Sequence, residues 1–346
     1  METLNICIGT YRLAKGNGID ISVYQFAREL AKRHNVTIAV MHSDMDLHEI
    51  DVLKYRIGFG DGILGAAKDL DKHHFDLIST HYSPFDLIAS RTRIPHYLHD
   101  PGVPPFKKLR WIREKRFWLI VNTTRLLSAG KAQCVLPISD YLGREFKRKY
   151  CYGGRMKVLP YGIQFPVQEP SGEAAYKKYV LYVGRHTRYK GVHTLFEIFR
   201  EVKKEVGDVH LVTIGTQEAG YKERLEALAS EIGDVHMLGY VPEVWSYYKH
   251  ASVYATCSEW EGQDRPVIEA QYMGKPVVAF NNCSHPEVVF HGMLANDRKE
   301  FKDALIKYLK EDNTDMSARK KVEEKFSIEG MAYKFIDIVK GATDGP

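Results

Sequence analysis
The chain has 346 residues, 44% hydrophobic and 27% charged, a balance that suits a soluble globular protein with two domains of ordinary size. No stretch approaches the ~18 uninterrupted apolar residues of a membrane-crossing helix, and the opening Met-Glu-Thr-Leu-Asn-Ile enters a strand at once, without the regions of a signal peptide. The net charge of +5 divides unevenly: residues 1–165 carry 25 Lys and Arg against 16 Asp and Glu, a net +9, and the remainder carries −4. A basic first half points to an anionic partner. Cys7, Cys134, Cys151, Cys257 and Cys283 are scattered, odd in number and without a Cys-x-x-Cys pair, which fits a reduced, cytoplasmic protein and argues against zinc.

Residues 4–9 are a short apolar strand, too continuous to be half exposed. A loop with Lys15-Gly16-Asn17-Gly18 follows, then a helix from Ile19 to Lys32 with apolar positions at Ile19, Val23, Phe26, Ala27 and Leu30. Val36–Val40 returns as a second strand. The glycine loop is not the Gly-x-Gly-x-x-Gly dinucleotide fingerprint, because its third glycine position holds Asp20 or Ile21. Strands are expected at Phe75–Thr80, Pro95–His99, Cys134–Ile138 and Lys157–Pro160, alternating with helical stretches as in a parallel sheet. His99 closes one of them. Between Pro104 and Leu127 basic and aromatic residues crowd together, with charges all round a helical projection.

Tyr161-Gly162-Ile163 and the Pro/Glu/Gly-rich stretch to Gly172 mark a domain boundary. The pattern then restarts: strand Tyr179–Gly184, the loop Arg185-His-Thr-Arg-Tyr-Lys190-Gly191, helix Val192–Glu205, strand Val209–Gly215, a helix near 218–231, strand Val235–Leu238, Tyr240-Val241-Pro242, a short helix to His250 and strand Val253–Cys257. Next come an acidic loop with Glu261, a helix that starts at Pro266 and carries Glu269, and Gly274 to close it before a buried strand. Glu300–Leu309 and Ser327–Val339 are the last helices. Glu261 and Glu269 bracket seven residues near the carboxyl edge of a sheet, where open α/β folds bind ligands. Arg185 ends a strand and Lys190 opens a helix, so a guanidinium, an ammonium and helix-start amides can converge on one diphosphate. Asp44-Met45-Asp46 has the spacing of a metal motif but lies just past a strand of the first half, and no metal site is expected.

The Glu261–Glu269 pair, followed by Ala-x-x-x-Gly-x-Pro-Val-Val-Ala, resembles the acidic signature of the retaining glycosyltransferases of the GT4 family, and the likeness covers most of the chain. It implies an α/β fold of GT-B architecture, two Rossmann-like domains facing across a cleft. Residues 1–165 would form the acceptor-side domain and 173–325 the nucleotide-sugar-binding domain, with 326–346 a helix crossing back to the first. The resemblance implies a hexosyl transfer from a UDP- or GDP-sugar, used as donor substrate and not as cofactor, with no metal. Gly16 and Gly18 would let backbone approach the donor and acceptor. Gly184, Arg185 and Lys190 would hold the diphosphate, with Arg265 near it, and Tyr240 and Val241 would border the base. Glu269 would hold the ribose, Glu261 would contact the sugar and steady its developing positive charge, and His99 would hydrogen-bond the sugar from the other domain. Retaining members are thought to work on one face, the leaving phosphate assisting proton removal from the acceptor.

The chain departs from the family pattern in three places. Glu-Gly-Phe-Gly becomes Glu261-Gly262-Gln263-Asp264, which sets a carboxylate where phosphate should lie, with Arg265 as the compensating charge. Gly-Gly before Pro-Glu becomes Cys283-Ser284, with His285-Pro286-Glu287 following. The Asn-Gly-Val-Asp junction has Tyr161 and Gln164 in place of its polar pair. A catalytically silent sugar-nucleotide-binding relative, or another GT-B enzyme such as an epimerase or phosphorylase, is the alternative. The expected acceptor is a glycan or a lipid-linked molecule. Six of the ten positions from Lys107 to Arg116 are basic, with Trp111, Phe117 and Trp118 interleaved, so contact with an anionic membrane surface, at the inner face of the membrane, is a further expectation. The apolar residues of this segment form no clean stripe in the sequence. Nucleic acid is not expected, since no binding motif accompanies the basic segment.

Overall fold
The computed structural model describes residues 2–56, 62–174, 176–311 and 313–343. The chain divides into two units, Met1–Gln164 with Phe326–Pro346, and Phe165–Lys325. In the first, strands β1 (Asn5–Leu13), β2 (Asn35–Ser43), β3 (Asp51–Lys54), β4 (Leu77–Thr80), β5 (His96–Asp100) and β6 (Cys134–Pro137) alternate with helices α1 (Gly18–Ala31), α2 (Gly62–Leu70), α3 (Phe85–Ala89), α4 (Ile112–Ser128) and α5 (Asp140–Tyr150). The strands lie in the order β3-β2-β1-β4-β5-β6 and pair in parallel. Crossover helices cover both faces of such a sheet, which is why its central strands are continuous apolar runs. Cys7, Ala39, Leu70, Ile78 and Phe85 form part of that core.

The second unit repeats the plan with β7 (Tyr179–Val183), β8 (His210–Ile214), β9 (Val235–Met237), β10 (Val253–Thr256), β11 (Val277–Phe280) and β12 (Gly292–Ala295), and with α6 (Val192–Val206), α7 (Lys222–Ile232), α8 (Trp245–His250), α9 (Arg265–Tyr272), α10 (His285–Val288), α11 (Arg298–Lys310) and α12 (Ser317–Phe326). Its order, β12-β11-β10-β7-β8-β9, is the same winding counted from β7. Val180, Leu195, Phe196, Phe199, Leu211 and Val253 are in its core. The chain then returns to the first unit as α13 (Ile328–Thr343), where Phe335 meets Phe26 of α1 with ring centroids 5.3 Å apart. Gly162 makes this return feasible: a Cβ there would meet the Ile328 Cα at 2.5 Å.

One expected strand is absent. Lys157–Pro160 runs beside β6 through backbone bonds from Lys157 to Val135 and from Leu159 to Pro137, but forms no strand. Pro160 has no amide with which to continue a ladder.

Helix α4 differs from its expected all-round charge. Its buried face is polar, with Asn122, Thr124, Arg125 and Ser128 turned inward beside Val121. Arg125 Nη1 meets Asp100 Oδ1 at 2.7 Å with both side chains buried. Burial disfavours the guanidinium, and Asp100, Tyr150, Asp86 and Tyr82 together more than offset that, raising its pKa. Ser83 and Thr124 share a 2.5 Å hydroxyl contact, and Tyr150 donates to Asn122. The outer face is apolar: Ile112 is 71% exposed, Leu119 60% and Leu126 62%, with Ile120 and Leu127 also exposed. These positions recur seven and eight apart and lie on one side of the helix, with exposed Arg116 and Thr123 between them, so the apolar residues face outward and the polar ones inward. Arg125→Ala is expected to cost about 3–5 kcal/mol, because it strands Asp100 in the interior. Leu126→Ser, one residue on, should stay within about 0.5 kcal/mol. Urea denaturation of the two variants checks the contrast, and equal losses would refute it.

Candidate functional site
In the second unit the strand order reverses between β7 and β10, and in open α/β sheets this switch point opens a crevice at the carboxyl ends of the strands. The loops leaving those two strands meet there. Gly191, at φ +65°, approaches so closely that a Cβ would stand 2.1 Å from the Cys257 carbonyl oxygen. Glu259 N donates to the Tyr189 carbonyl at 2.8 Å. This stitching sets Lys190, in the turn before α6, against Glu261, in the loop before α9: Nζ to Oε1 is 2.5 Å, with both side chains largely buried. Burial works against the Lys190 cation, Glu261 with Tyr189 and Asp264 outweighs it, and the pKa of Lys190 rises. Arg185, just after Gly184, donates to the Tyr189 hydroxyl at 3.1 Å.

Glu269 lies about one turn into α9, whose start has a proline in its first two positions and whose chain leaves through Gly274 at φ +72°. Its Oε1 accepts from Arg265 Nε at 2.7 Å and its Oε2 from the Tyr248 hydroxyl at 2.8 Å. Each oxygen keeps a further lone pair for a ligand. Tyr248 was invisible to motif reasoning because it sits in a separate helix, α8. Arg265 was expected to offset Asp264, but it turns to Glu269. His285 takes that place: its Nε2 is 3.1 Å from Asp264 Oδ2, and its Nδ1 is 2.9 Å from the Phe280 carbonyl. Burial alone would lower the imidazole pKa, but the contacts with Asp264 and Cys283 raise it to about 10. The remaining expected donor residues of this unit, Tyr240 and Val241, follow β9, with Tyr240 59% exposed and Val241 half-buried.

The other expected residues belong to the first unit. Gly16, at φ +75°, precedes Asn17, whose side chain caps α1 by accepting from Ile19 N and Asp20 N, and Gly18 opens the helix. Asp20 is buried and accepts from Ala14 N and Arg12 Nε, both at 3.1 Å, and burial raises its carboxyl above the usual range. His99 is fully buried, its ring 4.0 Å from that of His81 and packed near Phe26 and Phe335. Burial, with His81 and His96 beside it, lowers its pKa well below the usual value, so it is neutral and enclosed. Contact with a sugar would need that packing to open.

Two parallel doubly wound units, with paired carboxylates and cations at the switch point of the second, define a GT-B-type glycosyltransferase. Residues 166–325 match the family of glycosyl transferases group 1 and residues 16–165 match glycosyltransferase family 4, and the chain belongs to this family of enzymes. It is 24% identical over 316 residues to spore coat protein SA of Bacillus subtilis, a match covering 80% of each chain. An uncharacterized glycosyltransferase of Haemophilus influenzae is 34% identical over 110 residues, which spans 31% of this chain and only 30% of that relative. The Anabaena protein HepE, whose structure was solved with UDP and glucose, superposes with a TM-score of 0.80 over 97% of this chain and 99% of its own. At 16% identity that likeness shows the fold alone.

Because His285 is charged in the folded state and near its ordinary pKa when unfolded, its pairing stabilises fully below about pH 6.5. That contribution fades as pH rises through about 10. The stability gap between wild type and His285→Asn is therefore expected to narrow steadily from neutral to alkaline pH. Denaturant midpoints across that range check it, and a gap that widens would refute the pairing.

Proposed function
We propose that this enzyme transfers a hexosyl group from a UDP- or GDP-sugar to a glycan or lipid-linked acceptor, with retention of configuration and without a metal ion. The observation that carries the reading is the Lys190–Glu261 contact. As a glycosidic bond to phosphate breaks, negative charge grows on the leaving diphosphate and positive charge on the anomeric carbon. An ammonium and a carboxylate in contact can stand on either side of that bond. Lys190, with Arg185 and the amides that open α6, takes the diphosphate. Glu261 takes the sugar. Glu269, held by Arg265 and Tyr248, accepts from the ribose hydroxyls. A carboxylate held by an ammonium is a weak nucleophile, so Glu261 is given an electrostatic part and the departing phosphate oxygen removes the acceptor's proton. Proton NMR of the product should then show the donor's anomeric configuration, and an inverted product would overturn retention.

Removal of Lys190 or Arg185 should weaken nucleotide-sugar binding by about 1.5–3 kcal/mol per charge-assisted contact, with little effect on the free nucleoside. Activity should persist in a chelator. Complete loss that Mg²⁺ or Mn²⁺ restores would refute metal independence. Glu269→Gln should chiefly raise the donor's KM, the mark of uniform binding, while Glu261→Gln should chiefly lower kcat. Equal, minor effects would return both residues to a structural part.

The acceptor's place is read from α4. Its exposed apolar stripe, interrupted by Arg116, is flanked by exposed Trp111 and Phe106 and by Lys107, Arg110 and Arg113. Among the described residues no helix is long and apolar enough to cross a membrane. An apolar face rimmed by cations suits the headgroup boundary of an anionic bilayer, where each Lys or Arg adds about 1 kcal/mol. Co-sedimentation with vesicles of graded anionic lipid content should bring down wild type but not a variant with Leu119, Ile120, Leu126 and Leu127 changed to Ser. Equal recovery in the supernatant for both at low salt would place the acceptor in solution.

A further inference from the structure
Three carboxylates and three cations meet around α9 of the second unit, each acid with its own base: Glu261 with Lys190, Glu269 with Arg265, and Asp264 with His285. The donor reading uses the first two pairs and leaves the third without a part. Asp264 and His285 are both buried, at 3% and 0% exposure. Asp264 is of a type that caps helices and sits at the cap position of α9, yet its side chain makes no cap bond. It faces His285 instead. Both ring nitrogens of His285 face acceptors, Asp264 Oδ2 and the Phe280 carbonyl oxygen, and only the imidazolium donates from both. The same turn is tied down a second time, since Asn282 Nδ2 donates to the Ser258 carbonyl at 3.2 Å and His285 N donates to the Asn282 carbonyl at 3.1 Å. The loops that follow β10 and β11 are thus joined by a charged contact and a neutral one.

The charge has a consequence for Glu261, three residues before Asp264. Burial raises the Glu261 carboxyl and Lys190 lowers it; Asp264 adds to the rise and His285 opposes it. Without His285, Asp264 would add an uncompensated buried negative charge beside the carboxylate and ammonium that are read as gripping the donor. That charge would repel a diphosphate and would compete for Lys190, on which Asp264 also acts.

We propose that His285 is a positioning residue for the donor site: it neutralises Asp264 and pins the loop that carries Glu261, so that Lys190 stays available to a diphosphate. The inference rests on the nucleotide-sugar reading above. It accounts for one departure from the family pattern, because the imidazole at 285 cancels the carboxylate at 264.

A double-mutant cycle read by calorimetry tests it, with UDP-glucose and GDP-mannose as probes and the matching nucleoside as control. His285→Asn, or His285→Gln should the first not fold, is expected to weaken nucleotide-sugar binding by about tenfold or more and to leave nucleoside binding unchanged. Asp264→Asn alone should bind within about threefold of wild type. The Asp264→Asn, His285→Asn double variant should recover to within about threefold as well. A residue that only supports the fold would weaken nucleoside and nucleotide sugar alike, and the second substitution would not restore binding. The proposal is overturned if the double variant is no better than His285→Asn, or if Asp264→Asn alone is about tenfold weaker. Binding of neither nucleotide sugar by wild type would overturn the donor reading and this inference together, whereas normal wild-type binding with an unaffected His285→Asn overturns this inference alone.

Discussion
The close passage of the backbone at Gly191 past the Cys257 carbonyl is the constraint on which the candidate site depends. A parallel sheet buries both faces, so its functional side chains gather where loops leave the carboxyl ends of the strands. At the switch point the loops after β7 and β10 turn away from each other, and something must hold their first residues together. Here that is a glycine with positive φ and no side chain, plus one backbone bond between Glu259 and Tyr189. A methyl at 191 would sit well inside van der Waals contact distance of a carbonyl oxygen. The glycine is required by contact as well as by its dihedral angle, and the Lys190–Glu261 pairing follows from it.

Helix α4 shows a different use of the same sheet chemistry. A crossover helix normally buries an apolar face, and its stability comes from that burial. This one buries Asn122, Thr124, Arg125 and Ser128, each with a partner on the sheet or on a neighbouring helix or the residue a turn before, and leaves Leu119, Ile120, Leu126 and Leu127 in solvent. The helix is held by polar contacts that a few substitutions would break, and it presents apolar surface that folding did not consume. An exposed apolar stripe of this kind is informative where single exposed leucines are not.

Much of the fold was legible because the central strands, such as Tyr179–Val183 and Val253–Thr256, are apolar runs bounded by glycine or polar loops, and because α9 carries its own start and stop signals. The edge strands β3 and β12 were not: Asp51-Val52-Leu53-Lys54 and Gly292-Met293-Leu294-Ala295 are four residues each, too short for a periodicity to register. Lys157–Pro160 erred the other way, since an apolar run beside a strand need not pair as one. In α4 the charges were counted without knowing that Arg125 points inward, which hid the stripe on the opposite side. At the candidate site, Glu261, Glu269, Arg185 and Lys190 were singled out by their spacing around strand ends and helix starts. The Tyr248–Glu269 and Asp264–His285 contacts each join residues 21 apart in ways that no local pattern encodes. His99 was read from its match to the family's histidine at a strand end, and what encloses it comes from Phe26, His81 and Phe335, distant in sequence.

Three ion pairs around one short helix are a poor means of gaining stability, because desolvating each charge cancels most of the attraction. Their value lies in what they permit. A site that must accept a diphosphate needs cations held in place before the ligand arrives, and an unpaired buried cation would lower its pKa and lose its proton. Pairing each cation with a carboxylate keeps it charged, as the raised pKa of Lys190 shows. The carboxylates are also the groups that sugar and ribose hydroxyls would need as acceptors. Under the proposed reading an incoming nucleotide sugar would exchange partners within an existing set of charges: phosphate oxygens would join Lys190 while hydroxyls joined Glu261 and Glu269, and no new charge would have to be buried without a counter-ion. Only Asp264 has no hydroxyl or phosphate to turn to in such an exchange, and a carboxylate in that position requires a permanent cation of its own.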